Sequence, residues 1–480
     1  MGSGGIFKEM DQAKLSKGHL KVWFTSGMGF FTDAYDLFII GAVIDLFSKY
    51  QLQGFSLNGE LLGLTLAGFL GASAIFAAVA GQLLFGFVAD KIGRKTVYGV
   101  EATILAVGAL LSALSPTILW LILFRFIQGV GIGGDYPVSA TIMSEYSNTK
   151  DRGKLVSLVF ANQGLGSVAA VIVGLVCVVF LPPAVAWRIM LAAGALPAMA
   201  VIYFRRRLPE TARYSLLSRG DTKDAALAAG VVGASISGQG EEASVRGLRL
   251  NAKGFLAKYG KMLFVTAGSW FLLDMAFYGT GVFSGPIVSS IVPVSSTLPI
   301  RDQLTRLVLE AGIPFIVGFA GYFAAAAMVD RLGRKLIQLQ GFLGMTILYL
   351  LVSVFMITSG LKVIGFSIPS GLALAVYALT YFFIDFGPNT MTFVVPAEVY
   401  PVRYRTSGHG ISAAAGKLGA ALTVLYFPTF EATIGLKGIM GFLALVSAAG
   451  ALITLLMKET RGLTLEEASG EEVEVGAERH

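Results

Sequence analysis

The sequence predicts an all-α integral membrane protein of twelve transmembrane helices, arranged as two pseudo-symmetric bundles of six. Three observations predict this fold class. First, 55% of the 480 residues are hydrophobic and only 14% are charged, with a mean hydropathy of +0.72, whereas a soluble domain has about 25% charged residues. Second, apolar stretches of about 20 residues, the length that crosses a bilayer, recur along the whole chain. Third, the second half of the chain repeats motifs of the first.

The apolar stretches fall six on each side of a polar interval. They begin near Val22, Leu61, Thr96, Thr117, Leu155, Arg188, Met262, Leu307, Leu336, Val363, Gly408 and Gly438. The predicted domains are an N-terminal bundle (1–205), a linker (206–260), a C-terminal bundle (261–459) and a tail (460–480). The middle of the linker, SISGQGEEAS, is rich in Gly, Ser and Glu and lacks helical periodicity.

Basic residues cluster on one side of the predicted membrane. They follow the second, fourth, sixth, eighth and tenth spans: Lys91, Arg94, Lys95, Lys150, Arg152, Lys154, Arg205, Arg206, Arg207, Arg331, Arg334, Lys335, Arg403 and Arg405. Because Lys and Arg concentrate in cytoplasmic loops, we expect both termini and the linker in the cytoplasm and the protein in the plasma membrane. The loop from Ser290 to Arg306, which carries two arginines, is the exception and is assigned outside.

The sequence gives no sign of an enzyme. It has no paired nucleophile and base, no metal-ligand cluster and no nucleotide loop of the G-x-x-x-x-G-K-[ST] type. We therefore expect no cofactor and no ATP drive. The net charge of +7 follows from the loops rather than from a nucleic-acid surface, so membrane lipids and not nucleic acids are the expected surroundings. Cys177, alone in an apolar run, is expected to be a small core residue.

Three pairs of motifs recur at matched places in the two halves. The stretch Gly86–Lys95 (GFVADKIGRK) returns as Ala326–Lys335 (AAMVDRLGRK), and LPETAR after the sixth span is echoed by MKETR after the twelfth. A glutamate also stands seven residues before an arginine after the fourth and tenth spans. A parallel duplication with a substrate site between its repeats is a design of secondary transporters whose halves rock about that site.

These motifs resemble those of the major facilitator superfamily over essentially the whole chain, and the D-x-x-G-R-K loops are the most specific of them. The resemblance implies the twelve-helix fold and a cytoplasmic gate in which loop charges pair with helix ends. The expected structural or gating residues are Asp90, Arg94, Glu145, Arg152, Asp330, Arg334, Glu398 and Arg405. The alternative is that the basic residues only obey the positive-inside rule, which we favour for Lys95 and Lys335.

A carboxylate interrupts the fourth span, in GVGIGGDYPVSATIMSEY. Carboxylates inside a membrane are costly and usually face a cavity, a partner or a proton route, so Asp135 is a candidate functional residue. The glycines before it and Pro137 after it predict a close helix interface with a bend. Packing explains the glycines, but it does not explain the Asp135–Tyr136 pair.

Few other polar residues lie within the spans, and both halves contribute them. They are Asp33, Asp36, Tyr136, Gln163, Trp270, Asp274, Tyr278, Asp385, Asn389 and Lys417. Asp33 and Asp36 are three apart and share a helix face, whereas Trp270, Asp274 and Tyr278 recur every four residues and form one stripe. One lysine with amide, hydroxyl and indole donors suits an oxyanion. Carboxylates would repel that anion unless at least one is protonated, so binding of protons and of the anion would favour each other.

The ordered stretches GIGGDYPVSATIMSEY, FANQGLGS, SWFLLDMAFYGTGVF, FGPNTMTFVVPAEVYPVRYR and GHGISAAAGKLGA are similar to the phosphate:proton symporters of fungi and plants. The resemblance implies that phosphate is surrounded by Tyr136, Gln163, Trp270, Asp274, Tyr278, Asn389 and Lys417. It also implies that Asp33 and Asp135 move protons. Asp36 is a third proton-coupling candidate, with local hydrogen bonding as its alternative.

Several of these residues could have a purely structural role instead. Asp135 or Asp274 could form a purely structural ion pair with Lys417, and Gln163 and Asn389 could be interhelical contacts. One departure weakens the inference of strict phosphate selectivity: after Tyr278 the chain has small residues, GTGVFSGP, where the eukaryotic carriers have amides.

The expected function is import of inorganic phosphate with protons by alternating access, with a monomer as the functional unit. The alternatives are a symporter for another solute (sulfate, an organic acid or a hexose) and a phosphate-sensing transceptor with little flux.

Overall fold

The computed structural model describes residues 6–236, 244–246, 248–471 and 474–476, and its long elements are all helices. Helices in the N-terminal part, residues 6–205, are α1 (Lys8–Gln12), α2 (Lys17–Lys49), α3 (Leu66–Ile92), α4 (Arg94–Val97), α5 (Val100–Ala113), α6 (Ile118–Tyr146), α7 (Arg152–Phe180), α8 (Pro183–Ala192) and α9 (Ala195–Arg205). The predicted all-α class is confirmed.

The remaining helices begin within the expected linker and continue through the C-terminal part, residues 261–471. They are α10 (Ala212–Tyr214), a π-helical turn (Ser215–Arg219), α11 (Thr222–Val231), α12 (Ala252–Val282), α13 (Ser284–Ile291), α14 (Ile300–Leu332), α15 (Arg334–Phe355), α16 (Ser370–Asp385), α17 (Pro388–Val394), α18 (Pro396–Val399), α19 (Arg405–Thr454) and α20 (Leu465–Ser469). Most of the linker stretch SISGQGEEAS lies outside the described residues.

Strands are few and short. Antiparallel pairs join β1 (Glu60–Leu61) to β2 (Leu64–Thr65), β3 (Ser244–Arg246) to β6 (Glu474–Gly476), and β4 (Met356–Ser359) to β5 (Lys362–Phe366). Two of these pairs correct the predicted span boundaries. The second span begins at Leu66, not Leu61, because the β1–β2 hairpin precedes it. The tenth begins at Ser370, not Val363, because Val363 lies in β5.

Ten helical segments among the described residues are long and apolar enough to cross a membrane. Helix α2, with three aspartates in its 33 residues, is not among the ten. Helix α19 is counted once although it has 50 residues, and Gly435 in its middle has φ 66° and ψ 169°. Since these angles are not helical, α19 consists of two helices joined at a kink.

Close helix contacts position the polar residues of α6. A Cβ atom on Gly129 or Gly133 would lie 2.1 or 2.2 Å from the carbonyl oxygen of Ala74 or Ala78 in α3. The predicted close interface is thus present, and α6 can approach α3 only because these positions lack side chains. The two parts of the chain meet where α3 packs on α19 and where α7 packs on α14.

Candidate functional site

A buried ion pair joins α12 and α19. Lys417 Nζ of α19 is 2.8 Å from Asp274 Oδ2 of α12, and both side chains are at most 1% exposed. The other carboxylate oxygen, Oδ1, has no hydrogen-bond partner among the described residues. The pair is therefore neutral overall, with one acceptor free to receive a donor.

Two tyrosines from different parts of the chain enclose the lysine. Lys417 Nζ lies 4.2 Å from the ring centre of Tyr278 and 4.7 Å from that of Tyr136, and the two hydroxyls are 3.5 Å apart. Gln163 Nε2 of α7 donates to the hydroxyl of Tyr278 at 3.2 Å and of Tyr136 at 3.4 Å. These contacts bring hydroxyl, amide and ammonium groups from α6, α7, α12 and α19 into one site.

Tyr322 of α14 connects this cluster to α17. Its hydroxyl donates to Gln163 Oε1 at 3.3 Å and accepts from Asn389 Nδ2 at 2.7 Å. Asn389 Nδ2 also donates to Asp385 Oδ1 at 2.7 Å. Asn389 thus joins the predicted site through Tyr322, a residue that the sequence did not single out.

Trp270 closes the cluster on the side toward the basic loops. Its ring lies 6.2 Å from that of Tyr136 and edge-on to His409, 5.5 Å away. A Cβ atom on Gly416 would lie 2.3 Å from the indole, so this glycine of α19 makes room for the ring. The seven predicted substrate-binding residues therefore lie together, each at most 1% exposed.

A second buried cluster surrounds Asp135. Its Oδ1 accepts from Arg205 Nη2 at 2.6 Å and from Ser139 Oγ at 2.5 Å. Arg205 also binds Glu101 through Nη1 at 2.7 Å. Asp33, Glu101, Asp135 and Arg205 line one small cavity. Neither carboxylate oxygen of Asp33 has a hydrogen-bond partner in the described part of the chain. One guanidinium thus faces three carboxylates and pairs with two of them.

Asp36 lies in a different setting from Asp33. Arg125 Nη2 donates to the backbone carbonyl of Asp36 at 3.2 Å, while both carboxylate oxygens of Asp36 have no hydrogen-bond partner among the described residues. A Cβ on Gly194 would lie 2.2 Å from Asp36 Oδ1. Asp36 is therefore packed between α6 and the α8–α9 junction, beside a buried arginine.

The predicted gating residues form two matching networks at the end of the molecule that carries the basic loops, here called the basic face. In the first, Glu145 Oε1 lies 3.3 Å from Arg94 Nη2 and 2.8 Å from Arg405 Nη1. Thr211 of the PET motif donates to the other oxygen of Glu145. Since Arg405 belongs to the C-terminal part, this network ties the two parts together.

The second network repeats the first with the parts exchanged. Glu398 lies 2.8 Å from Arg334 and 3.0 Å from Arg152, and Thr460 Oγ1 donates to it at 2.5 Å. Here Arg152 comes from the N-terminal part. The glutamate–arginine and PET-like repeats of the sequence thus form equivalent contacts in space.

The aspartates of the repeated loops bind helix starts across the same interface. Asp90 Oδ2 accepts from the backbone N–H of Ser407 at 2.7 Å, and Asp330 Oδ2 accepts from that of Lys154 at 2.7 Å. Each N–H belongs to the first turn of a helix, α19 or α7. A carboxylate there accepts from an N–H that has no partner within the helix, and it is attracted by the positive end of the helix dipole.

A third set of charges ties the chain ends to this face. Arg213 binds Asp11 at 2.6 Å and Glu466 at 2.9 Å, and all three are buried. Burial alone would raise the pKa of Glu466, but the charge and hydrogen bond of Arg213, together with the charge of Arg405, hold that pKa below its ordinary value. The N-terminal segment and α20 are thus joined through one arginine of the PETAR motif.

The family profile described as "Sugar (and other) transporter" matches residues 22–471. The chain belongs to this transporter family. It is therefore a multi-pass membrane transporter of the major facilitator superfamily.

Two similar members of the transporter family come from plants. The chain is 38% identical to the Arabidopsis thaliana protein named "Probable inorganic phosphate transporter 1-6", over 98% of this chain and 96% of that protein. It is 37% identical to "Inorganic phosphate transporter 1-11" of Oryza sativa subsp. japonica, over 98% and 91%. The match runs the length of both chains.

Solved structures of the superfamily share the fold of this transporter. The proton:xylose symporter XylE bound to 6-bromo-6-deoxy-D-glucose superposes with a TM-score of 0.77 at 18% identity, over 95% of this chain and 99% of that one. The partially occluded inward-open form of the xylose transporter XylE from E. coli gives a TM-score of 0.70 at 20% identity, over 94% and 100%. At this identity the likeness concerns the fold alone.

Sequence reasoning missed several polar residues of this transporter's interior. Arg205 looked like the first of three basic loop residues, yet it is 1% exposed and pairs with Asp135. Glu101 and Arg125 were not singled out, and Tyr322 stands in an otherwise apolar stretch. The structural alternative paired Lys417 with Asp135 or Asp274. The pairing with Asp135 is wrong, because Asp135 binds Arg205, whereas the pairing with Asp274 is present.

Proposed function

We propose that the protein is a proton-coupled secondary transporter that imports inorganic phosphate by alternating access. The observation that carries the proposal is the buried ion pair of Lys417 and Asp274, whose ammonium lies against the rings of Tyr136 and Tyr278. An ammonium group in a membrane interior, with hydroxyl and amide donors around it, attracts a small oxyanion. The relatives named inorganic phosphate transporters support phosphate as that anion.

Phosphate would bind by sharing Lys417 with Asp274. Lys417, Gln163 and Asn389, together with the tyrosine hydroxyls and the Trp270 indole, would donate to its oxygens. Asp274 Oδ1, which lacks a partner among the described residues, would accept from a phosphate hydroxyl. This arrangement discriminates protonated from fully ionised phosphate, because only the former has a hydrogen to donate.

Proton coupling would reside in the cluster around Arg205, with Asp33 as the exchanging group. If Asp33, Glu101 and Asp135 were all ionised, one guanidinium would leave an excess negative charge in the membrane interior, which is costly. Asp33 makes no ion pair with any described residue, so it is the member whose protonation breaks no contact. Asp135 would hold Arg205 in place, and Asp36 beside Arg125 is a further candidate for proton transfer.

Alternating access would occur between two bundles of six helices. We propose twelve spans: the ten apolar segments, with α19 counted as two at Gly435, and α2 as the first. The bundles would comprise residues 1–205 and 261–459, with 206–260 as linker and 460–480 as tail. The Glu145 and Glu398 networks would hold the basic face shut, and that face would be cytoplasmic, as would both termini. The plasma membrane is the expected location.

The monomer would be the functional unit, because one chain supplies every side chain of the central site. A symporter for another anion or for a sugar is the first alternative; the family description and the xylose symporters favour a sugar on fold alone, whereas the buried lysine favours an anion. A phosphate-sensing transceptor is the second alternative, since a binding site does not by itself establish flux.

Uptake of radiolabelled phosphate into proteoliposomes tests the proposal. With an inward proton gradient, we expect accumulation that a protonophore abolishes and that arsenate competes, while sulfate, lactate and glucose do not. Uptake of labelled glucose or sulfate by folded protein that ignores phosphate would overturn the phosphate proposal. Phosphate binding without uptake or counterflow would favour the transceptor.

A further inference from the structure

A carboxylate outside the central site and the Arg205 cluster lies between the two parts of the chain. Asp45 stands near the end of α2, on the face opposite the basic face, and is 7% exposed. It lines a cavity of about 40 Å³. That cavity is bounded by α2 and α7 of the N-terminal part and by the α12–α13 junction and α14 of the C-terminal part.

No charged partner meets this carboxylate. Its two carboxylate oxygens make no hydrogen bond or ion pair with any residue that the structure describes; Ser48 donates only to the backbone oxygen of Asp45. The charge that acts on the carboxylate is Lys49 on the same helix, whose ammonium donates to Gln303 at 3.4 Å. The other residues that line the cavity, from α2, α7, the α12–α13 junction and α14, offer no titratable group.

The α12–α13 junction is shaped to receive α2. A Cβ on Gly285 would lie 2.4 Å from Asp45 Oδ2, and a Cβ on Gly281 would lie 2.8 Å from the ring of Phe38. These glycines lie in the segment after Tyr278 where the sequence departs from eukaryotic phosphate carriers. Their missing side chains let Phe38 and Asp45 project from one part of the chain directly against the backbone of the other.

We propose that Asp45 is a proton-operated latch at the mouth of the transporter. When ionised, its carboxylate keeps water in the cavity and holds α2 away from α13. When it takes up a proton from the solution on that face, the neutral acid is able to pack against Gly285 and the mouth closes. The reason is that closing the mouth strips water from the group, and an unpaired charge resists such desolvation far more than a neutral acid does.

The latch rests on the proposed alternating access but not on the identity of the substrate. It differs in role from Asp33, which would carry the transported proton at the central level of the membrane. Asp45 would instead decide when the mouth closes, so an ionised Asp45 would also repel an entering anion until a proton has bound.

Thiol labelling without phosphate tests the latch. In a Cys177→Ala background, the Val171→Cys variant places a reporter in the cavity on α7, and Ser296→Cys, in the loop on the same face, corrects for the intrinsic pH dependence of the reaction. We expect the corrected labelling rate at Val171→Cys to rise severalfold as the pH is raised. With Asp45→Asn it should stay at its low-pH value at every pH, whereas Asp45→Glu should restore the pH dependence.

An unchanged pH dependence in folded Asp45→Asn would overturn the latch. If Asp45→Asn fails to fold, labelling of the Asp45→Glu and Asp45→Ser variants decides: a pH response in Asp45→Ser like that of the parent also overturns it. Because the assay contains no phosphate, this failure is distinct from failure of the proposed transport. Loss of phosphate uptake in the parent protein with pH-dependent labelling intact would refute the substrate and retain the latch.

Discussion

Glu145 and Arg405 lie 260 positions apart and form a buried ion pair of 2.8 Å across the two parts of the chain. Glu398 and Arg152 form the matching ion pair at 3.0 Å, with the glutamate in the C-terminal part and the arginine in the N-terminal part. An ion pair that exists only while the basic face is closed contributes to the closed state and not to the open one. With the proposed alternating access, the two pairs would therefore bias the conformational equilibrium as well as stability.

Removing the charge of Glu145 should open the basic face. In Glu145→Gln, the buried Arg94 and Arg405 lose their shared carboxylate, and breaking a buried pair in this way costs about 3–5 kcal/mol. We expect faster labelling of a cysteine placed at Met143, which is fully buried between the network and the central site. Glu398→Gln should act alike, while Asp224→Asn, an exposed carboxylate on the same face, should not. Equal labelling in all three would contradict a gating role.

Replacement of Asp33 should uncouple transport from protons. Asp33→Asn mimics the protonated acid and disturbs no ion pair among the described residues, so we expect phosphate counterflow to persist while accumulation driven by a proton gradient is lost. Asp135→Asn should differ, because it deprives Arg205 of a 2.6 Å partner, and both counterflow and thermal stability should fall. Gradient-driven accumulation in Asp33→Asn equal to that of the parent would rule out Asp33 as the exchanging group.

Lys417 should provide the main attraction for the anion. A hydrogen bond to a charged group contributes about 1.5–3 kcal/mol, so Lys417→Gln should weaken phosphate binding by about tenfold to a hundredfold. That variant also leaves Asp274 buried without a counter-charge, which threatens folding. The double variant Lys417→Gln with Asp274→Asn removes both charges and serves as the folding control. Parent-like phosphate affinity in this double variant, measured by equilibrium binding, would exclude Lys417 from the site.

Tyr322 should contribute to affinity through its hydroxyl alone. Tyr322→Phe keeps the ring but removes contacts to Gln163 and Asn389, at about 1 kcal/mol each, so we expect phosphate binding to weaken by about thirtyfold. Tyr349→Phe is the matched control, because that buried hydroxyl donates to the backbone of Ala276 at 3.1 Å and to none of the site residues. An equal loss of affinity in both variants would show a general packing effect.

The sequence was sufficient for the residues whose chemistry is unusual in a membrane. Lys417, Asp135 and Asp274 were identified because charges in apolar stretches demand a reason, and the repeated motifs placed Glu145 and Glu398 in equivalent roles. It was not sufficient for Arg205, because a basic residue at the end of a span satisfies the positive-inside rule whether it faces water or turns inward. Tyr322 likewise has no local signal, since only the packing of α7 against α14 brings its hydroxyl to Gln163.

Span boundaries failed for a related reason. The hairpins before α3 and α16 place apolar residues, such as Leu61 and Val363, close to the helices that follow, so hydropathy alone extends the span into them. The sequence predicted two spans here, beginning near Gly408 and Gly438, and the structure separates them by a kink at Gly435. The position of the kink depends on a positive φ that glycine adopts readily. The composition of a stretch predicts burial in lipid, whereas its backbone geometry depends on local turns.

Glu466 should make the closed assembly sensitive to acid. Arg213 holds the pKa of this carboxyl below its ordinary value, so its stabilising effect is complete above the pKa of the unfolded chain. That effect is lost as the pH falls through the lower folded pKa. In detergent at neutral pH, Glu466→Gln should therefore lower the Tm, because Arg213 retains only Asp11 as an ion-pair partner among the described residues. As the solution is acidified, the two Tm values should converge, since the parent protein loses the same charge.

Glu60→Gln, which changes an exposed carboxylate on the opposite face, is the control and should have the Tm of the parent protein at neutral and at acidic pH. A Tm difference between Glu466→Gln and the parent that is constant with pH would mean that the Glu466 side chain acts through packing and not through its charge.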